Sequence, residues 1–239
     1  MNVEGLYRIV IDDLEGTAFN KSEHFKKGQK VYGLTVPEIE KISKSFVSQF
    51  KVLNLEERFE LSILFYKSKS LAQTNFGLKL LQISIEDLKP DHFPILDEIS
   101  GYLTDWGPTD SFSLYIMQPL LRKYTNETKN LLKKWNNSDF TWKKRASLVT
   151  FTRKIGAEGE FVDFLLELCD NLIWDKEDLV RKAIGWALKD NMIGKNKKRL
   201  INYVKNLRKI GVSSTTTLYA IRKLKDKERE EVLKIKHSN

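Results

Sequence analysis

Two short stretches, far apart in the chain, hold residues that could do chemistry. Trp106-Gly107-Pro108-Thr109-Asp110 sets a carboxylate four residues after an indole. Arg181-Lys182-Ala183-Ile184-Gly185-Trp186-Ala187-Leu188-Lys189 sets a second indole among cations. An indole face attracts cations and a carboxylate stabilises them, while Lys and Arg attract phosphates. Such a set suits a cationic group carried on a polyanion.

These residues need elements to hold them. Pro108 suits the first turn of a helix, where its missing N–H costs nothing, so Trp106 is expected at or just before a helix start. Asp110 then falls within the first turn, stabilised by the helix dipole. A plainer account fits the same residues: helix-end electrostatics and a packed Trp lid. In the second stretch Leu179, Ala183, Ile184, Ala187 and Leu188 form an apolar stripe at helical spacing. Trp186 sits at its margin, as core or as platform, with Lys182 and Lys189 about a turn to either side. Between the two stretches, Trp142 precedes the cluster Lys143, Lys144 and Arg145. There Leu148 and Phe151 can face a core while Arg145, a match for bidentate phosphate contact, projects sideways or into the groove.

The whole chain reads as helix. Apolar residues recur at three- and four-residue intervals, with five Pro and twelve Gly in 239 residues. Helices are expected over 2–14, 17–28, 36–50, 55–69, 71–88, 91–102, 108–124, 126–137, 140–155, 158–173, 176–192, 195–209, 213–224 and 227–237. Consecutive pairs recur near the spacing of HEAT and armadillo units, about 40 residues. Trp135 and Trp174, 39 positions apart, hint at a degenerate repeat. The expected fold class is all-α, a curved α-solenoid of HEAT-like helix pairs forming one domain over 1–239 with a concave surface. An irregular helical bundle is the alternative.

Composition narrows the function. The net charge is +9, yet residues 181–239 carry 17 Lys and Arg against 5 Asp and Glu. The positive field therefore belongs to the last quarter, as a polyanion site or as a solvated lysine-rich surface. Cys169 lies alone in the apolar run FLLELCDNLI and reads as a buried structural thiol. His24, His92 and His237 are scattered, without the spacing of a metal set, and no Gly-rich phosphate loop occurs. No metal and no cofactor are expected. No run approaches the ~20 apolar residues of a membrane span, and the acidic start MNVEGLYRIVIDDLEG lacks the pattern of a secretory leader. A cytoplasmic, nucleoid-associated protein without a membrane partner is expected.

The ordered combination of Trp106 with Asp110, W-x-x-R at Trp142 to Arg145 preceded by Trp135 and Ser138-Asp139, and RKAIGWALK around Trp186 resembles the AlkD-type DNA alkylation repair glycosylases. Tyr32-Gly33-Leu34-Thr35-Val36-Pro37 is similar to that family's entry into an early helix, and the resemblance runs from about residue 25 to 225. It implies a HEAT-like solenoid that excises cationic alkylated purines, 3-methyladenine and 7-methylguanine, from double-stranded DNA, as a monomer. Such a purine leaves as a neutral base, so the acid that ordinary glycosidases supply is not needed and one carboxylate suffices.

By this resemblance Asp110 is the catalytic carboxylate, Trp106 and Trp186 are the cleft aromatics, and Arg145 contacts a phosphate. Lys144, Lys182 and Lys189 are further backbone contacts. The chain departs from the family's pattern at Gly107-Pro108-Thr109, which bears on the aim of Asp110. The family's N-terminal aromatic would fall near His24 or Phe25. The other readings are a non-catalytic binder of branched or damaged DNA and a protein-interaction scaffold.

Overall fold

The computed structural model describes residues 2–18, 24–26 and 29–236. Its helices gather into two compact units, divided after Tyr124.

In the first unit, α1 (Val3–Ala18) buries Val3, Leu6, Val10, Leu14 and Ala18, a stripe at helical spacing. Each such aliphatic side chain contributes about 1.5–3 kcal/mol when fully buried. A helix was expected over 17–28, but α1 runs through Ala18 and is followed by an antiparallel hairpin, β1 (His24–Lys26) and β2 (Gln29–Val31). Aromatic Phe25 and β-branched Val31, which favour strand, stand in the two paired segments. Positions 24 and 25 have strand backbone, and the aromatic expected there lies outside the residues with described side chains. The helix expected over 36–50 is broken at Phe46 into α2 (Val36–Ser45) and α3 (Val47–Val52).

α4 (Leu55–Lys67) opens on a capping box: Asn54 Oδ1 accepts from the Glu57 amide at 2.9 Å, and Glu57 Oε2 accepts from the Asn54 amide at 2.8 Å. It packs against α1 and against α5 (Leu71–Ile83) around Phe50, Leu61, Phe65, Phe76 and Leu80. α5 ends earlier than expected, and a 3₁₀ turn (Pro90–His92) leads into α6 (Phe93–Ser100). Next come α7 (Trp106–Phe112), a π-helical stretch (Ser113–Met117) and α8 (Gln118–Lys123), three pieces where one helix was expected over 108–124. Pro119 accounts for the widening: it gives no N–H to the carbonyl four residues back and crowds it. The Gln118 amide instead reaches back to the carbonyl of Ser113.

In the second unit, α9 (Thr125–Asn136) pairs with α10 (Thr141–Val149), and a turn leads to the short α11 (Arg153–Glu158). α12 (Val162–Leu172) pairs with α13 (Asp178–Met192), and α14 (Lys197–Lys209) with α15 (Ser214–Ile221), before α16 (Asp226–Leu233) closes the unit. α13 packs on both α10 and α15, and α9 on α12. Polar bonds between successive pairs recur at nearly constant separation. Asn171 Nδ2 donates to Asn136 Oδ1 across 35 residues, Arg145 Nη1 to the Leu179 carbonyl across 34, Lys195 Nζ to the Glu158 carbonyl across 37, and Arg199 Nη2 to Asp163 Oδ1 across 36. That constant offset is the signature of a stack of repeats in which each pair touches its neighbours. Trp135 and Trp174 are not equivalent in it, since Trp135 is fully buried and Trp174 is exposed.

Candidate nucleic-acid interface

In the first unit the helix carrying Trp106 and Asp110 is started by Asp105, whose Oδ1 accepts from the Gly107 amide at 3.2 Å. Asp110 is therefore the fifth helical residue, just past the first turn, where the pull of the helix dipole has begun to fade. Trp106 and Asp110 lie one turn apart on the same side of α7. Trp106 is 58% exposed and Asp110 only 8%. Thr109 Oγ1 donates to the Asp105 carbonyl at 2.7 Å, and Ser113 Oγ to the Thr109 carbonyl at 2.8 Å. The departure Gly107-Pro108-Thr109 thus sits in regular helix. Space for a Cβ at Gly107 is open apart from Asp105 Oδ1 at 4.0 Å.

In the second unit the first turn of α10 is tied to the approach to α13. Lys144 Nζ meets Asp175 Oδ2 at 2.9 Å, Asp175 Oδ1 accepts from the Glu177 amide at 2.8 Å, and Arg181 Nε donates to the Asp175 carbonyl at 2.7 Å. Arg145 is 5% exposed, and its Nη1 donates to the Leu179 carbonyl at 2.7 Å. Lys182 lies close enough to Arg145 to feel its charge. Its ammonium is held above the ordinary lysine range by the hydrogen bond and charge of Asp178 (Nζ to Oδ2 at 2.6 Å), against that repulsion. The stretch Lys144, Arg145, Arg181 and Lys182 is a group of cations fixed by backbone and carboxylates.

Trp186 is half-buried one turn further along α13, while Ala183, Ile184, Ala187 and Leu188 are buried and Leu179 is half-buried. The guanidinium of Arg153 lies over the Trp186 ring, 5.7 Å from its centre. On the neighbouring α15, Arg222 lies over Tyr219 at 5.0 Å. Lys189, expected as a backbone contact, is 2% exposed and pairs through Nζ with Asp190 Oδ1 at 2.8 Å. Burial pushes its pKa down, against the pull of Asp190. It is an internal ion pair in this fold, because it stands one turn from Gly185 on the face of α13 that α15 covers.

The family model for DNA alkylation repair enzymes matches residues 14–224. The chain belongs to the DNA alkylation repair enzyme family. A solved structure of a predicted DNA alkylation repair enzyme from Enterococcus faecalis superposes with a TM-score of 0.68 at 14% identity, over 91% of this chain and 95% of that one. The all-α, α-solenoid-type fold is therefore shared. No curated protein matches the chain.

For a DNA alkylation repair enzyme, the groups missed in the sequence are as telling as those found. Arg153, Asp175, Asp190, Tyr219 and Arg222 all touch or order the expected residues, and none stood out by type or spacing. A signal existed for Asp190, which stands at i+4 from Trp186 and so shares its face. None existed for Arg153, which reaches Trp186 only because the chain turns sharply after α10. Among the described residues no group of His, Cys, Asp and Glu could hold a metal ion, and no helix is long and apolar enough to cross a membrane.

Proposed function

We propose that the protein is a DNA glycosylase that hydrolyses the N-glycosidic bond of cationic alkylated purines, 3-methyladenine and 7-methylguanine, in duplex DNA. The observation that carries this reading is the pairing on α7 of a largely exposed indole, Trp106, with a carboxyl group, Asp110, one turn away in a family of alkylation repair enzymes. In the reaction the bond between sugar C1′ and the purine nitrogen breaks and its electron pair leaves with the base, which becomes neutral. Positive charge develops on the sugar. Asp110 stabilises that charge and takes the proton of the water that bonds to C1′, and the Trp106 indole beside it faces the developing cation; Trp186 is proposed as a further aromatic that meets the DNA from the second unit. Arg145, Lys144 and Lys182 hold backbone phosphates of the same duplex. We place the activity in a monomeric protein acting as a single HEAT-like domain at the nucleoid, in the cytoplasm, as the first step of base excision.

The test is incubation with methylated genomic DNA and chromatography of the freed bases. Wild type should release 7-methylguanine, and Asp110→Asn should release none while binding duplex nearly as well. The depth of Asp110, 8% exposed, favours a second reading, a binder of branched or damaged DNA that excises nothing. Under it wild type frees no base yet binds junctions with strong salt dependence.

A further inference from the structure

We infer that Arg153 is a DNA-phosphate contact, with Trp186 as its platform and Asp190 as its anchor; the inference rests on the DNA-binding part of the proposed function. Arg153 follows the turn that ends α10, and its backbone is left-handed, with φ of 53°. A side chain with a Cβ is strained there. Among the described residues of this unit the other left-handed positions are glycines, Gly159 at φ 66° and Gly211 at φ 83°. A long cationic residue in the strained position implies a use for its side chain.

Both ends of the residue are held by one face of α13. The Arg153 amide donates to Asp190 Oδ2 at 2.7 Å, and its guanidinium lies over Trp186, four residues before Asp190 on that helix. The other Asp190 oxygen is engaged by Lys189. The corner is further fixed by Asn191, whose Nδ2 donates to the Phe151 carbonyl, and by Gly156, where a Cβ would come within 2.8 Å of the Asp190 Cβ. Arg153 is exposed although so constrained, and exposed Lys154 follows it.

A guanidinium held over an indole face spends none of its N–H donors on that contact and leaves them for a phosphate, which Arg can take bidentately. Its conformational freedom is lost before DNA arrives, which lowers the cost of binding. Trp186 would thus act on the DNA partly through Arg153. Tyr219 and Arg222 repeat the pairing on α15, which packs directly on α13.

The experiment is titration of full-length protein with an undamaged duplex oligonucleotide across a series of salt concentrations. Arg153→Gly relieves the left-handed strain, so its Tm should equal or exceed that of wild type. Its affinity should nevertheless fall by about tenfold, and the slope of log K against log salt should shrink by about 0.9, one phosphate. Arg153→Lys should keep the slope and lose part of the affinity. Arg153→Gly combined with Trp186→Leu should cost less than the sum of the two single losses. Wild-type affinity and slope in Arg153→Gly would overturn the inference. Undamaged duplex keeps the two proposals separate: a wild type that binds it with full slope but frees no methylated base defeats the glycosylase reading and leaves this one standing.

Discussion

Gly185 and Tyr219 bring α13 and α15 together at a point that no side chain at position 185 could share. A Cβ at Gly185 would collide with that of Tyr219 and lie 2.6 Å from the Thr216 carbonyl. The glycine in RKAIGWALK is therefore a packing residue, and the close approach it permits sets Tyr219 beside the helix that carries Lys182 and Trp186.

Gly185→Ala is accordingly expected to destabilise the protein by about 1–3 kcal/mol through overpacking. Urea denaturation measures it, and a midpoint equal to that of wild type would refute the close approach.

The indoles should separate by role. Trp106→Ala removes an exposed ring and should change stability by less than about 0.5 kcal/mol, while base release from methylated DNA falls. Trp135→Ala empties a fully buried site and should cost about 3–5 kcal/mol. A large stability loss from Trp106→Ala would mark that indole as packing.

Lys182 and Lys189 differ in the same way. Lys182→Ala should weaken duplex binding and reduce its salt slope. Lys189→Met replaces a buried ammonium by a side chain of similar length and should leave the slope unchanged. A reduced slope in Lys189→Met would show that its ion pair with Asp190 opens when DNA binds.

Stability should decline in alkali. Burial first, and the nearby Asp170 second, push the Cys169 thiol well above its ordinary pKa. Burial likewise raises the phenols of Tyr66 and Tyr203. The unfolded chain sheds these protons from about pH 8.5 upward, the folded chain only later. Their contribution is thus complete below that pH and is lost as pH rises through the folded values. Lys189, whose proton burial weakens, works in the opposite sense. Cys169→Ala isolates the thiol: urea midpoints at pH 7, 9 and 10 should fall less steeply in that variant. An identical decline would remove Cys169 as a cause.

Most helices were legible because an apolar stripe at helical spacing can be buried in only one way. α4, α13 and α14 lie close to their expected bounds. Boundaries differed at the interruption at Phe46 between α2 and α3, at Pro119 behind the π-helical stretch, and at the paired strands 24–26 and 29–31. The stack of pairs in the second unit was visible as a rough period, though Trp135 and Trp174 proved a false pair of landmarks.

At the candidate site, the sequence by itself determined the kinds of groups available, an indole and a carboxylate one turn apart on α7 and a cation-rich helix around Trp186. Residue type and helical spacing are local properties, and a single helix fixes them. Only the tertiary structure decided which cations are on offer. It turned Lys189 inward, tied Lys144 and Arg145 to Asp175 and Leu179, and laid Arg153 across Trp186. Lys189 pairs with its chain neighbour Asp190, but the contacts of Lys144, Arg145 and Arg153 are with partners more than thirty residues away, whose positions follow from how one helix pair stacks on the next.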